Sequence, residues 1–444
     1  MRKNMRNMKN DADRIITESI KSVDPGMAVS RMVSLKGRFL SVGQDKIDLN
    51  NINNIYVIGL GKASSRMAEP LEKMLGSRLT GGIINTKYGH NAGLKKIKIN
   101  ECGHPVPDRN GLRGAKEICD FVKQAGENDI VFCLISGGGS ALFPLPAGGL
   151  SFPDKQKTTQ LLLRSGATIQ EVNTVRKHIS SVKGGRLAEL ISPARGISLI
   201  LSDVIGDDMG FIASGVTSPD PTTFGDCINI IKSYRLQKKM PSQVMEYLNR
   251  GVKVSCMETP KSGNPVFKKV SNLLVGSNFL ACDAAMKKAA SLGYNALLLS
   301  TVIEGETKDV AKVHSAVAKE VLLSGNPVKK PACIISGGET TVTVKGKGKG
   351  GRNMEFCLAC VKHISGFNNI VIASVGTDGT DGPTDSAGAV VDSTTFEKAL
   401  KKKCIPAKYL ESNDSYNFFR KCGGLYITGP TGTNVMDIRL MLIT

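Results

Sequence analysis

Glycine-rich turns with a few charged residues are the part of this sequence best suited to chemistry. Two of them lie in the N-terminal half, GLGKAS at 59–64 and SGGGS at 136–140. Glycine lets the backbone approach a ligand closely, and successive free N–H groups can hold an anion. Lys62 adds a positive charge to the first turn, although that turn taken alone is equally consistent with a structural loop. The second turn predicts a phosphate or carboxylate site formed by Ser136, Gly137, Gly138, Gly139 and Ser140.

Two further turns, in the C-terminal half, combine glycine with carboxylates and an arginine. SGGET at 336–340 is followed by the ribbon GKGKGGRN at 346–353. Arg352 can bind a phosphate or carboxylate through two parallel hydrogen bonds, whereas the lysines of the ribbon are expected to be solvated. The turn GTDGTDGPTD at 376–385 predicts either a magnesium site or a hydrogen-bonded turn cluster. Magnesium takes only one or two protein carboxylates beside substrate phosphates, so not all three aspartates need to bind it.

Acidic and basic residues also gather between 173 and 208. The sequence SDVIGDD at 202–208 places Asp203 directly after a predicted strand. The segments NTVRKH at 173–178 and KGGR at 183–186 supply basic groups upstream of it. A lone histidine is more often structural than catalytic, so His178 is not predicted to act as a base.

Short apolar runs must position these turns. In the N-terminal half, the continuous apolar character of the runs at 55–60, 82–85, 130–136 and 197–202 predicts parallel strands covered on both faces. Further strands are predicted at 273–276, 296–300, 333–336 and 370–375. Lengthy connections between them indicate an α/β fold. Open α/β sheets bind ligands beyond the carboxyl ends of their strands, where these turns lie. A polar, poorly periodic stretch at 241–264 predicts a linker between domains at 1–240 and 265–444.

Composition restricts the class of protein. Hydrophobic residues make up 41% and charged residues 22% of the chain, as in soluble globular proteins, and no apolar run is long enough to span a membrane. The basic N-terminus lacks the apolar run of a signal peptide and predicts an amphipathic helix at 11–23. Eleven scattered cysteines suit a reducing compartment, so we expect a cytoplasmic location. Cys357 and Cys360 have no second ligand pair, which favours a structural role over zinc binding.

The net charge of +20 fits a nucleic-acid binder, an enzyme of acidic substrates, or a host that favours basic proteins. Lysine and arginine are spread along the chain without blocks or interleaved aromatic residues, which favours anionic substrates. The sequence shows no nucleophile triad and no cluster of metal-binding His or Cys. Glycine turns, cations and aspartates fit phosphoryl transfer, which depends on positioned cations, magnesium and backbone dipoles.

The motifs, in this order, resemble the glycerate 2-kinase family, whose C-terminal part is called the MOFRL domain. The resemblance covers nearly the whole chain; besides the turns above it includes GHPVPD (103–108), EVNTVRKHISSVKGGRLA (171–188), SGVTSPDPTT (214–223) and TGPTGTNVMDI (428–438). It implies two α/β domains, the N-terminal one Rossmann-like with a mainly parallel sheet, and an active site in the cleft between them. The C-terminal segment is expected to pack back on the first domain.

The resemblance also implies a reaction, the ATP-dependent phosphorylation of D-glycerate at its 2-hydroxyl with Mg²⁺, giving 2-phosphoglycerate and ADP. Lys62 and Arg352 would be the essential cations, one for the transferring phosphoryl group and one for the glycerate carboxylate. Asp378 would be the base or, together with Asp203, a magnesium ligand. The other expected substrate or phosphate contacts are the turn at 136–140, Asp203, Glu339 and Asn434. Met354 stands where similar sequences carry glutamine, which puts a polar contact from that position in question.

Three alternatives stay open at this point. Relatives have also been named hydroxypyruvate reductases, although the chain lacks a GxGxxG fingerprint with an acidic residue about 20 positions later. The acceptor could be another small hydroxy acid. A non-catalytic binder of anions or nucleic acid would explain the charge but leave the aspartate turn without a role. The expected partners are D-glycerate and ATP, with no nucleic acid and no membrane, and a homodimer is left open.

Overall fold

The computed structural model describes the backbone of residues 2–444 and the side chains of residues 7–444. The chain forms two compact units. The first unit is residues 25–275, and the second combines the residues up to Asp24 with residues 276–444. This division differs from the predicted one, because the expected linker at 241–264 carries a helix that packs Val244 and Leu248 into the core of the first unit. Its exposed residues are mainly polar and include Lys253, which obscures the apolar face in the sequence.

Helices and strands are numbered along the chain from helix α1 (Arg2–Ser22), which belongs to the second unit. The helices of the first unit are α2 (Pro25–Met32), α3 (Ser64–Leu75), α4 (Arg109–Val122), α5 (Gly139–Leu142), α6 (Phe152–Arg164), α7 (Ile169–His178), α8 (Arg186–Ile191), α9 (Phe224–Ser233) and α10 (Ser242–Lys253). Its strands are β1 (Val33–Lys36), β2 (Phe39–Val42), β3 (Asp45–Asp48), β4 (Ile55–Leu60), β5 (Gly81–Lys87), β6 (Ile97–Cys102), β7 (Ile130–Ile135), β8 (Arg195–Leu201) and β9 (Val270–Gly276).

The first unit is built on a six-stranded sheet in the order β6-β5-β4-β7-β8-β9. The pairs from β6 to β8 are parallel, and β4 and β7 are buried along their whole length. This confirms the mainly parallel sheet predicted from the apolar runs. Counted from β4, the order is 3-2-1-4-5-6, that of the Rossmann fold, in which the chain reverses its winding between the first and fourth strands. The reversal lies between β4 and β7, and strands β1 to β3 form a separate antiparallel sheet.

Local signals fix the helix that carries the basic segment at 173–178. Helix α7 begins after Thr168, whose side chain accepts a hydrogen bond from the Glu171 N–H while the Glu171 carboxylate accepts one from the Thr168 N–H. This reciprocal capping satisfies two of the free N–H groups at the start of the helix. Val172 and Val175 are fully buried on one face of the helix and anchor it in the first unit.

The second unit adds six helices and six strands to α1. The helices are α11 (Asn278–Ser291), α12 (Thr307–Ser324), α13 (Arg352–His363), α14 (Thr395–Lys401), α15 (Pro406–Glu411) and α16 (Ser415–Cys422). The strands are β10 (Asn295–Ile303), β11 (Ala332–Gly338), β12 (Ile370–Gly376), β13 (Gly388–Asp392), β14 (Leu425–Tyr426) and β15 (Asp437–Ile443).

The sheet of the second unit has the order β10-β11-β15-β12-β13-β14 and is mixed. Strand β15 runs antiparallel between β11 and β12, and all seven of its residues are buried. The C-terminal segment therefore forms a central strand of the second unit, and its packing on the first domain stays a prediction. Its start, Asp437, pairs with Gly338 at the end of β11 and with Gly376 at the end of β12. This register brings the turns after β11 and β12 to one edge of the sheet.

Apolar side chains of α13 fill the core of the second unit. Cys357 and Cys360 are both fully buried there and act as small hydrophobic residues. Met354 is also fully buried, which explains how an apolar side chain occupies that position. Across the part of the chain that the structure describes, no helix combines the length and apolarity that a membrane crossing requires.

Candidate active site

In the first unit, the two glycine turns meet at the point where the sheet reverses its winding. The turn at 59–64 follows β4, and the turn at 136–140 follows β7. The Lys62 N–H donates to the Gly137 carbonyl at 3.0 Å, and the Ala63 N–H donates to the Ser136 hydroxyl at 3.0 Å. Ligands of doubly wound sheets bind at such a reversal.

The turn at 136–140 has the geometry of an anion-binding loop. Gly138 has a φ of +81°, a conformation that favours glycine, and a Cβ there would lie 2.8 Å from the His104 ring and 3.2 Å from Lys62 Cε. Within residues 2–444, the N–H groups of Gly137 and Gly138 donate no hydrogen bond to the protein. These two donors are available to a ligand beside the side chain of Lys62.

Lys62 and Asp203 lie on either side of this turn. Asp203 follows β8, and a Cβ on Gly137 would collide with its carboxylate. Burial raises the pKa of Asp203, and the positive charge of Lys62 opposes that rise. The Lys62 ammonium group forms no hydrogen bond or ion pair with the side chains that the structure describes, so its charge is available to a ligand.

Two histidines that were not predicted as site residues lie beside Lys62. His90 Nδ1 is 3.0 Å from the Lys62 carbonyl oxygen, and the His104 ring packs over Gly138. Burial, together with the charge of Lys62, lowers the pKa of His104 to about 4. The imidazole is therefore neutral at pH 7 and can donate or accept one hydrogen bond without adding charge. The motif GHPVPD at 103–108 was the only signal for it in the sequence.

In the second unit, Arg352 is held by two carboxylates. Its Nε and Nη2 donate to the two oxygens of Asp437 at 2.7 and 3.0 Å, and its Nη1 lies 2.7 Å from Glu339 Oε1. Burial alone would lower the pKa of Arg352, but the ion pairs with Asp437 and Glu339 raise it above its ordinary value. An arginine has five N–H donors, so two remain for a ligand. The Glu339 carboxylate is 42% exposed, and such a contact is weak enough to exchange for an anion.

Asp437 is the centre of this network although it was not predicted as a site residue. It is fully buried and also accepts hydrogen bonds from Asn353 at 2.9 Å and from Arg439 at 3.2 Å. Arg439 is itself buried, and its Nε and Nη1 have no partner among the described residues. Burial lowers the pKa of Arg439, although Asp437 opposes the change.

Asp381, the second aspartate of the turn at 376–385, points into the protein. It is 3% exposed, and its carboxylate accepts the N–H groups of Asn353 at 3.1 Å and Met354 at 2.7 Å, at the start of α13. Burial raises the pKa of Asp381 to about 7, with the hydrogen bonds from Met354 and Asn353 opposing and the nearby Asp437 adding to the shift. A carboxyl group that titrates near neutral pH is suited to proton transfer.

Asp381 and Arg352 line a cavity of about 520 Å³ within the second unit. Its walls combine the glycine ribbon with polar and apolar side chains; the lining residues are Glu339, Thr340, Thr341, Val342, Val344, Gly348, Gly350, Gly351, Arg352, Glu355, Asp381, Gly382, Pro383 and Asn413. The volume falls in the range of pockets that bind cofactor-sized ligands, roughly 300–1,000 Å³. Lys345, Lys347 and Lys349 of the ribbon are exposed, as predicted.

Asp378 and Asn434 do not line this cavity. Each stabilises a local turn, because Asp378 Oδ1 accepts the Thr380 N–H at 3.0 Å and Asn434 Oδ1 accepts the Met436 N–H at 3.1 Å. Among residues 7–444, no group of three or more His, Cys, Asp or Glu side chains is arranged to hold a metal ion. The predicted residues therefore fall into a first-unit set around Lys62 and a second-unit set around Arg352.

Comparison with known proteins identifies the family. The model of a domain of unknown function, DUF4147, matches residues 11–249, and that of the MOFRL family matches residues 332–437. The chain is 45% identical to a glycerate 2-kinase of Pyrococcus horikoshii, over 97% of this chain and 96% of that protein. It is 40% identical to a D-glycerate 2-kinase of Thermotoga maritima, over 98% of both chains. It is 39% identical to an Agrobacterium vitis protein named as a hydroxypyruvate reductase, over 97% of this chain and 93% of that protein.

A solved structure agrees with these relatives. The crystal structure of a glycerate kinase from Thermotoga maritima matches with a TM-score of 0.90 and 40% identity, covering 99% of this chain and all of that chain. Identities of 45% and 40% over nearly the full length of both chains show the family. The chain belongs to the glycerate 2-kinase family.

Proposed function

We propose that this protein transfers the γ-phosphoryl group of ATP to the 2-hydroxyl of D-glycerate, giving 2-phosphoglycerate and ADP. The observation that carries the proposal lies at the reversal point of the first sheet, where the Lys62 ammonium group and the N–H groups of Gly137 and Gly138 have no partner among the described residues. Phosphoryl transfer is catalysed mainly by such positioned cations and backbone dipoles. The near full-length relatives named as glycerate 2-kinases supply the acceptor and the position of transfer.

We assign different ligands to the two sets of residues, the nucleotide to the set around Arg352 and the transferring phosphoryl group to the set around Lys62. The cavity of about 520 Å³ beside Arg352 is large enough for a nucleotide. The two N–H donors of Arg352 that remain after its contacts with Asp437 and Glu339 can bind a phosphate oxygen. The first-unit turn, with Lys62 and Asp203, is suited to the charge that develops on the transferring group. Asp203, with its raised pKa, and Asp378 are the groups we assign to accept the proton of the attacking hydroxyl or to bind metal.

Mg²⁺ fits this donor set as an ion held mainly by nucleotide phosphates. It commonly takes one or two protein carboxylates, so the lack of a larger carboxylate cluster in the described part of the chain is compatible with it. Asp378 uses one oxygen for the Thr380 N–H and keeps the other, and Asp203 keeps its carboxylate beside Lys62. When bound, the ion neutralises charge on the phosphates.

The residues at the strand ends of the first sheet argue against a dinucleotide-dependent reductase. Dinucleotide-binding folds of this strand order place an acidic residue near the end of the second strand, where it binds the ribose. The equivalent strand, β5, ends in Asn85, Thr86 and Lys87, so a carboxylate is missing at that place. The first turn also carries Ser64 in place of the third glycine of the fingerprint.

The proposal is tested by supplying D-glycerate, MgATP and enolase, with no phosphoglycerate mutase. Formation of phosphoenolpyruvate shows transfer to the 2-position, because enolase acts on 2-phosphoglycerate. A signal that requires added mutase would show transfer to the 3-position instead. Unconsumed ATP in both assays would refute the assignment. Lys62→Ala is the inactive control, and Lys73→Ala, at an exposed lysine of α3, is its matched surface control.

A further inference from the structure

Three basic residues of the first unit form no ion pair with a carboxylate among residues 7–444. Lys155 is on α6, Arg176 is on α7, and Lys183 lies in the turn before α8; we call them the basic cluster. Lys183 is fully buried and Lys155 is 6% exposed, while Arg176 is half-buried. Burial lowers the pKa of Lys183 and of Lys155 well below the ordinary value, and the charge of Arg176 adds to both shifts. Lys155 and Arg176 also line one cavity, so their side chains lie near each other.

The cluster has almost no partners among the described residues. Lys183 Nζ has no hydrogen-bond partner in residues 7–444, and within the same residues Lys155 Nζ donates only to the Leu145 carbonyl, at 2.9 Å. Within the described residues the Arg176 guanidinium forms no ion pair. Lys177, the next residue on α7, shows the usual arrangement, since it pairs with the buried Asp220 at 3.3 Å. Buried like charges without a counter-ion are unfavourable, and a bound anion would compensate them.

A cavity of about 190 Å³ provides the place for that anion. Lys155 and Arg176 line it, and so does Ser140 from the anion-binding turn. Gln156 and Thr159 of α6 add polar groups, while the remaining walls include Pro144, Phe152 and Leu163. The volume is well below that of pockets for drug-sized ligands and suits an acid of a few carbon atoms. Lys183 does not line the cavity and acts on it through its charge.

We propose that this cavity binds the carboxylate of the hydroxy-acid substrate, with Arg176 and Lys155 as its ligands and Lys183 as a supporting charge. The inference rests on the proposed function and names the residues that select an acid over a neutral polyol. Arg176 can hold a carboxylate through two parallel hydrogen bonds. Ser140, which is 2.6 Å from the Ser214 hydroxyl, connects this site to the turn that carries Gly137 and Gly138.

The test compares Arg176→Gln and Lys183→Met with Lys157→Ala, a control at an exposed lysine of α6. We expect Arg176→Gln to raise the KM for D-glycerate about 30-fold or more and to change kcat by less than about threefold, since a carboxylate contact is made equally in the ground and transition states. Without nucleotide, D-glycerate should raise the melting temperature of the wild type, whereas its methyl ester should not. Lys183→Met should weaken this protection while the ligand-free protein keeps or gains thermal stability, because a buried amino group that lacks a hydrogen-bond partner among the described residues is removed.

Two results would overturn the inference. One is an unchanged KM in both variants. The other is protection of the wild type by inorganic phosphate that Arg176→Gln abolishes while the KM for glycerate stays the same, which would make the cavity an effector site. Failure of the proposed kinase reaction can be distinguished from failure of the carboxylate site. A wild type that forms no phosphoglycerate, yet is protected by D-glycerate only when Arg176 is present, would keep the carboxylate site and refute the kinase reaction.

Discussion

Asp381 gives the sharpest prediction, because its carboxyl group is almost completely buried at the edge of the larger cavity. Its pKa is raised from an ordinary value of 3.8 to about 7, mainly by burial. Between these two pH values the folded protein keeps the proton while the unfolded chain has lost it. Stability therefore falls as the pH rises from about 4 to about 7 and is constant above that range. Asp381→Asn removes the titration and keeps the shape of the side chain.

The magnitude follows from the shift of about three pKa units, each equivalent to about 1.4 kcal/mol. Relative to Asp381→Asn, the wild type should lose roughly 4 kcal/mol of stability between pH 4 and pH 8. For a unit of this size the midpoint of thermal unfolding moves by roughly 2–4 °C per kcal/mol. Thermal unfolding should be followed by circular dichroism from pH 5 to pH 8.5. The melting temperature of the wild type minus that of Asp381→Asn should fall by several degrees over this range.

The matched control is Asp385→Asn, at an exposed aspartate of the same loop. Its melting curves should follow those of the wild type at every pH. Parallel pH dependence of the wild type and Asp381→Asn would refute the reasoning, since it would mean that the buried carboxyl does not titrate in this range.

Three other predictions concern the two cations and the cysteine pair. Lys62→Ala should lower kcat by about a hundredfold with an unchanged melting temperature, because the ammonium group has no partner in the described protein, and equal losses of activity and stability would contradict this. Arg352→Ala should lower both kcat and the melting temperature, since it leaves the buried Asp437 without its bidentate partner; calorimetry showing an unchanged fold would argue against that role. Replacing Cys357 and Cys360 together with serine should leave kcat unchanged, with or without a zinc chelator, and any zinc-dependent activity would contradict their packing role.

The parallel half of the fold was predictable because buried strands are apolar throughout. The segments expected at 55–60, 130–136 and 197–202 correspond to β4, β7 and β8 within two residues at each end. The antiparallel strands β1 to β3 were not predicted, since each has only four residues. The division into two units also differs from the predicted boundary at 241–264. The unit to which α1 and α10 belong depends on packing between residues that are distant in sequence.

The candidate site was predictable as a set of turns but not as a set of contacts. The motif GTDGTDGPTD offers three similar aspartates, and only the family resemblance points to Asp378 among them. In the structure Asp381 is turned inward, because the start of α13 supplies it with two N–H groups. Asp437 lies beside the turns after β11 and β12 because of the register of β15 between these two strands. A register between strands distant in sequence cannot be predicted from a local sequence pattern. Whether Asp378 and Asn434 contact a ligand stays a prediction.

The central position of β15 has a consequence for biosynthesis. The first unit is a continuous stretch of chain and can fold on the ribosome as soon as residue 275 has emerged. The second unit can complete its fold only at the end of translation. Helix α1 is translated before the first unit, and β15 is translated after every other strand of its own sheet. Until then β11 and β12 each lack a neighbour and expose strand edges open to pairing with another nascent chain. Slow translation of the last seventy residues would therefore lower the yield of folded protein, whereas slow translation before residue 275 would not.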